Sequence, residues 1–167
     1  MQKKVLSEQA LYHGSVNMPK DWDINRDELS LYTLESKLLN TQFRFSVTWD
    51  RLNTYIKEHF YLKHNLNLIN KKTWANIYKP NETTSPLLSV DPVDLRNSPD
   101  FTLLYGTNVE DCRVTICYDD NRRKGRSWTI PLKNNKFIMF PSSNIYFIRN
   151  SQKENLNFVQ TITYEYV

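Results

Sequence analysis

The sequence is poor in glycine and has no long apolar run, and each shortage removes a class of protein. Only 3 of the 167 residues are glycine. Neither a G-x-G-x-x-G nor a G-x-x-x-x-G-K-[ST] string occurs, so the loops that cradle dinucleotides or nucleotide phosphates are missing. No stretch approaches the roughly 18 apolar residues of a membrane span. The first residues also lack the apolar core of a secretion signal.

Cysteine and net charge are equally sparse. Cys112 and Cys117 are the only cysteines, and they lie in what reads as one strand, with side chains on opposite faces. They cannot easily bond to each other, so we expect two reduced thiols in a cytosolic setting. The 22 basic residues exceed the 18 acidic ones only slightly, which is a weaker bias than a dedicated nucleic-acid-binding face usually shows.

Aromatic residues and short alternating segments are what the sequence has in quantity. The 10 tyrosines and 8 phenylalanines favour strands. After a strand candidate at 73–80 and a long Pro- and Asp-rich loop, six more follow at short intervals: 101–107, 112–118, 127–132, 136–141, 145–150 and 157–167. This spacing predicts an antiparallel sandwich or jelly roll. We expect its core to be carried by alternating residues of the last strands: Phe137, Met139, Phe147, Val159 and Ile162.

The first 71 residues have a different pattern. Residues 1–20 show no periodicity, and we expect an extended arm that is ordered only against another chain. Asp27 and Glu28 precede a loosely amphipathic stretch and predict a short helix. The alternation of residues 43–48 predicts a strand.

A second helix has the clearest signal in the chain. Thr48 or Asp50 can cap it, and its apolar face would be formed by Trp49, Leu52, Ile56 and Phe60. The chain is thus an arm (1–20), a lead-in of helix and strand (21–71) and a β jelly roll (72–167), which together make an α+β fold.

The order of motifs in the second half points to a known scaffold. A strand containing Tyr78 and Pro80 is followed by an acidic loop, a strand at 101–105, a hairpin, a strand ending in Phe-Pro-Ser at 140–142 and a closing alternating strand. This order resembles the double-stranded β-helix of the 2-oxoglutarate- and Fe(II)-dependent oxygenases, and versions in tailed phages carry a comparable Phe-Pro-Ser motif. The resemblance covers about residues 73–167.

The resemblance also implies where a metal site would lie. The family binds iron through a His-x-Asp and a distal His, and the aligned residues here are Ser89, Asp91 and Tyr146. A hydroxyl and a phenol are poor substitutes for neutral imidazoles towards Fe(II). The family's co-substrate carboxylate binds an Arg or Lys on the last strand, and residues 158–167 contain neither. We therefore expect no metal, no cofactor and no enzymatic activity.

Two further sets of residues could carry chemistry. The histidines, His13, His59 and His64, lack the helical spacing of paired ligands, and we expect them to be surface or packing residues. The loop Asp91–Asp100 could supply acid–base groups or bind a cation. It lacks calcium-loop spacing, so we favour a proline-stiffened loop whose side chains satisfy their own backbone.

The strongest charge cluster lies at 119–128, between two strand candidates. We expect a hairpin tip in which Arg122, Arg123, Lys124 and Arg126 bind an acidic surface on a partner protein, with Trp128 anchoring the base of the hairpin in the roll. The alternative is a solvated loop whose aspartates neutralise half of the charge. Nucleic acid is a less favoured partner, because few aromatic residues are interleaved for stacking.

These observations predict a non-enzymatic structural or adaptor protein that binds neighbouring subunits of an oligomeric assembly. The bias towards Asn, Lys, Ile and Tyr is typical of AT-rich coding sequence, and with the Phe-Pro-Ser motif it suggests a tailed-phage particle, located in the virion or the host cytoplasm. Two alternatives stay open: an active 2-oxoglutarate/Fe(II) oxygenase with other ligands, and a basic nucleic-acid-binding module.

Overall fold

A computed structural model describes residues 2–4, 8–42, 46–119 and 125–167. Within these ranges the α-helices are α1 (Arg26–Leu38) and α2 (Val47–His64). The strands are β1 (Tyr12–Ser15), β2 (Leu68–Tyr78), β3 (Phe101–Asn108), β4 (Cys112–Asp119), β5 (Gly125–Leu132), β6 (Lys136–Pro141), β7 (Tyr146–Asn150) and β8 (Asn157–Tyr166). The predicted α+β class, a short helical N-terminal part followed by an antiparallel β roll, is confirmed.

Both helices begin at a polar side chain that caps the first turn. The Asn25 side chain accepts a hydrogen bond from the Glu28 backbone N–H at the start of α1. The Ser46 hydroxyl accepts one from the Trp49 N–H at the start of α2, which satisfies a donor that the helix itself cannot. The four residues predicted to form the apolar face of α2 are all buried.

The start of α2 corrects two predictions. Val47 and Thr48 lie in the helix and not in a strand, while residues 43–45 of that predicted strand lie outside the described residues. The cap is Ser46, and neither Thr48 nor Asp50 fills that role. Thr48 is instead buried, and its hydroxyl donates to Glu28 Oε2 at 2.6 Å, which ties α2 to α1.

The strands form two antiparallel sheets. The larger has the order β1-β6-β3-β8-β2 and the smaller β5-β4-β7. Isolated bridges from Thr83 to Arg149 and from Leu87 to Tyr146 extend the smaller sheet beyond β7 with part of the long loop. One apolar core lies between the sheets and a second lies between the larger sheet and the helices.

The larger sheet is therefore buried on both faces, as β6 shows. Phe137 and Met139 belong to the core under the helices, whereas Ile138 and Phe140 belong to the core between the sheets. Of the predicted core residues, Phe137, Met139, Val159 and Ile162 are buried. Phe147 is not: Tyr146 and Ile148 face the core of the roll, so Phe147 between them faces outwards and is only half-buried.

The N-terminal arm also differs from its prediction. Its residues Tyr12–Ser15 form β1, which pairs with β6 of the same chain. Next to it, Val16 is buried and exchanges hydrogen bonds with Asn135. Because β6 offers an unpaired edge and Tyr12 packs its ring edge-on against Phe60 at 5.1 Å, this part of the arm is ordered without a second chain.

Both cysteines lie on β4 and are free, Cys112 buried and Cys117 half-buried. In the part of the chain that the structure describes, neither helix is long and apolar enough to cross a membrane.

Candidate functional site

A cavity of about 520 Å³ opens between β2, the start of β7 and the long loop at 79–100. Ser89, Asp91 and Tyr146 all line it, so the structure brings together the three positions that the resemblance picks out. The backbone explains why. Leu87 and Tyr146 exchange two hydrogen bonds, at 2.9 and 3.0 Å, and this pairing fixes the chain just before Ser89 against the start of β7. We call this space the roll cavity.

Asp91 stands at the exposed mouth of the roll cavity, and its polar groups bond within the loop. Its carboxylate accepts from the Val93 N–H at 2.9 Å, and its own N–H donates to the Ser98 hydroxyl at 2.9 Å. The neighbouring Asp94 carboxylate accepts from the Asn97 side chain. The interpretation of this segment as a loop that satisfies its own backbone is therefore confirmed for these residues.

Tyr146 and Ser89 form the inner wall. Tyr146 is 4 % exposed, and burial raises the pKa of its phenol, an effect that the adjacent Ser89 hydroxyl partly offsets. Ser89 Oγ is itself buried and makes no hydrogen bond of good geometry to any described residue. A neutral phenol beside a neutral hydroxyl is a polar wall without charge, because desolvation disfavours the phenolate.

The opposite rim is basic, which the sequence alone did not reveal. Lys71 and Lys72 of β2 both line the roll cavity. Lys71 Nζ makes an ion pair with Glu165 Oε1 of the neighbouring β8 at 2.8 Å. Two consecutive strand residues normally point to opposite faces, but the β2–β8 register shifts between Asn70 and Lys72. The two adjacent lysines are the only trace of this rim in the sequence, and no residue there indicates the register shift.

The residues of the roll cavity do not fit Fe(II). Non-haem iron centres of the related kind combine two imidazoles with one carboxylate. Of the three aligned positions only Asp91 supplies such a ligand, and Tyr146 would have to ionise in a place that disfavours its anion. Across the described ranges, no three His, Cys, Asp or Glu side chains converge as a possible metal site.

The three histidines lie elsewhere and contact aromatic rings. His59 stacks on Tyr55 with ring centroids 5.5 Å apart, and His64 packs against Tyr12 at 4.8 Å. His13 is exposed, with its ring 6.2 Å from that of Trp128. Burial, more than the nearby Lys63, lowers the pKa of His59. Their interpretation as packing or surface residues is confirmed.

Of the second candidate, the basic cluster, the structure describes only Arg126. Arg122, Arg123 and Lys124 lie outside the described residues. Arg126 is exposed on β5, where it pairs with Tyr118 of β4.

The prediction for Trp128 was wrong. Its side chain is 47 % exposed, because β5 is the outermost strand of the smaller sheet and its first five residues are all exposed.

In sequence, no protein-family model and no curated protein matches this chain. In structure, the chain is similar to SnoN, an α-ketoglutarate-dependent epimerase from nogalamycin biosynthesis, with a TM-score of 0.61 and 13 % identity over 93 % of this chain and 77 % of that one. It is also similar to a prolyl-4-hydroxylase from Pseudomonas putida, with a TM-score of 0.60 and 10 % identity over 94 % of this chain and 86 % of that one. A prolyl hydroxylase from Trichoplax adhaerens is similar with a TM-score of 0.62 and 10 % identity over 93 % of this chain and 83 % of that one. The chain therefore has the double-stranded β-helix fold of the 2-oxoglutarate/Fe(II) oxygenases.

Proposed function

We propose that this chain is a non-enzymatic structural or adaptor protein, which uses an oxygenase-type roll to bind neighbouring protein subunits. The observation that carries the proposal is the set of side chains that line the roll cavity. Ser89 and Tyr146, which the resemblance aligns with the two imidazole ligands, line it together with Asp91. A shared fold is weak evidence for a shared activity, and a hydroxyl and a phenol are poor substitutes for the neutral imidazoles that bind Fe(II) in such centres.

A protein partner is favoured by the charge and exposure of the β4–β5 hairpin. Arg126 and Trp128 are exposed on β5, and by sequence three further cations immediately precede this strand. Arginine and tryptophan are enriched among the residues that dominate protein interfaces. Arginine also holds a carboxylate by two parallel hydrogen bonds, which a lysine cannot do.

The setting that we propose is a tailed-phage particle. It is supported by the AT-rich type of residue usage and by the Phe-Pro-Ser turn at 140–142. Mass spectrometry of the particle with which the chain co-sediments would identify its neighbours. Recovery only as a free monomer, with no particle fraction, would contradict this setting.

The non-enzymatic part is tested by iron analysis of the purified protein and by succinate release from 2-oxoglutarate under oxygen with added Fe(II). We expect no stoichiometric iron and no succinate above a protein-free control. Stoichiometric iron together with succinate release would contradict the proposal and support an active oxygenase that uses other ligands.

A further inference from the structure

A second groove lies at the other edges of the two sheets. The roll cavity is beside β2 and β7, whereas β1 and β5 are the opposite edge strands of the larger and smaller sheet. Between β1 and β5 is a space of about 410 Å³, lined by residues 13–15, 128–131, 133 and 136–138. We call this space the β1–β5 groove.

One wall of the groove is a regular sheet edge. Among the described residues β5 pairs only with β4, in unbroken register from Asp119↔Gly125 to Cys112↔Leu132. Pro131 has no N–H, and within a sheet proline is tolerated where that position points away from the ladder. Outward positions alternate in an antiparallel strand. Ser127 and Thr129 therefore direct their N–H and C=O groups away from β4, along the open edge of β5, and of the two Thr129 lines the groove.

The other long edge of the fold, β2, carries more features that discourage pairing than β5 does. At the edge of the larger sheet, β2 is interrupted by the register shift between Asn70 and Lys72 and carries two adjacent lysines. Bulges and edge lysines are common ways to prevent strand addition. The edge strand β1 has only four residues. By contrast, β5 pairs with β4 over eight residues without a bulge, and Pro131 blocks strand addition only near the C-terminal end of β5.

The charged residues at the rim of the β1–β5 groove and the apolar residues at its base indicate what the groove can bind. Lys133, Lys136 and His13 are exposed at its rim, and no carboxylate occurs among the described residues that line it. At its base Phe137 and Ile138 are each only 2 % exposed, and the open apolar surface is that of Trp128, which is about half exposed. A cationic rim beside an open apolar surface matches a chain that alternates acidic and apolar side chains, because successive strand residues point to opposite faces.

We propose that the β1–β5 groove binds an extended acidic segment of a partner protein, which adds to β5 as a further strand. Backbone hydrogen bonds to Ser127 and Thr129 hold the segment in register. Its carboxylates lie against Lys133 and Lys136, and an apolar side chain covers Trp128. This inference rests on the proposed function and adds the chemistry of the partner and its place of attachment.

The direct test is binding of a fluorescent synthetic peptide of about ten residues, a strand length, that alternates Glu with Val around a central Phe. The matched peptide has Lys in place of every Glu. We expect the acidic peptide to bind, with an affinity that falls as salt is added, and the basic one not to bind. Equal binding of the two peptides, or no binding of either, would overturn the proposal.

Two pairs of variants locate the site. Lys133→Glu with Lys136→Glu should weaken binding about tenfold, since two exposed pairs are lost and repulsion replaces them. Lys79→Glu with Lys153→Glu makes the same change in charge at exposed positions outside the groove and should leave affinity unchanged. Thr129→Pro removes an outward N–H and should abolish binding, whereas Thr129→Val removes only the hydroxyl and should bind normally.

Thermal melting of each variant separates loss of the site from loss of the fold. Should Thr129→Pro fail to fold, the lysine pair decides alone, and binding that survives its reversal overturns the proposal. The docking proposal and the proposed function fail separately. If the acidic peptide does not bind and the protein contains no iron and releases no succinate, only the docking site is rejected. Stoichiometric iron together with succinate release rejects the non-enzymatic function, whether or not the peptide binds.

Discussion

Cys112 and Cys117 show at the scale of single residues how one strand gives two thiols different chemistry. Cys112 is 1 % exposed, and its burial, reinforced by the Asp111 carboxylate, raises its pKa to about 12. Only the thiolate reacts readily with disulfide reagents. In the native protein at neutral pH we expect one thiol, Cys117, to react, and both to react after denaturation. A rapid reaction of the Cys117→Ser variant in its native state would contradict this assignment.

The three residues of the roll cavity could be placed from the sequence because their order along the chain follows the order of the motifs. Ser89 and Asp91 follow the strand with Tyr78, and Tyr146 follows the Phe-Pro-Ser turn. The basic rim could not be placed in this way. Which face of β2 carries Lys71 and Lys72 depends on the register shift with β8, and a shift of one residue moves a side chain from one face to the other.

At the scale of elements, β7 shows what alternation can and cannot predict. Four consecutive apolar or aromatic residues, 145–148, make a strand evident but leave its inner face undefined. The pairing of β7 with β4, in which Val114 lies opposite Ile148, decides the matter. The cap of α2 was missed for a related reason: residues 43–48 alternate like a strand, and Ser46 begins a helix within that pattern.

The faces of β7 lead to a stability prediction. Ile148 is fully buried between the sheets, so Ile148→Ala should reduce the free energy of unfolding by about 2–5 kcal/mol. Phe147→Ala should cost distinctly less, although it removes a larger side chain, because Phe147 is half-buried and outside that core. Urea denaturation of the two variants measures both values. A greater loss for Phe147→Ala would show that the strand faces the other way.

At the scale of the whole molecule, the order of strands and turns was enough to predict the architecture. Six strand candidates separated by turn signals correspond to β3–β8, and antiparallel strands so connected have few ways to form a roll. The arm was harder to predict. Its apolar residues are too few to define an element, and β1 exists because the edge of β6 is available to it. Such long-range pairing has no signal within the arm itself.

The central proposal is that Ser89, Asp91 and Tyr146 lie at the place of the oxygenase iron site but do not bind Fe(II). The test is an anaerobic titration with Fe(II), measured by isothermal calorimetry. It is carried out on the wild type and on the double variant Ser89→His with Tyr146→His. With Asp91, that variant has the two imidazoles and one carboxylate of a facial triad. Its matched control adds Asp91→Ala.

We expect the wild type to bind no stoichiometric Fe(II), the double variant to bind one Fe(II) per chain, and the control to lose that binding. Binding of one equivalent by the wild type would contradict the proposal that these side chains do not bind Fe(II). A folded double variant that binds no iron would contradict the claim that Ser89, Asp91 and Tyr146 mark the place of the site.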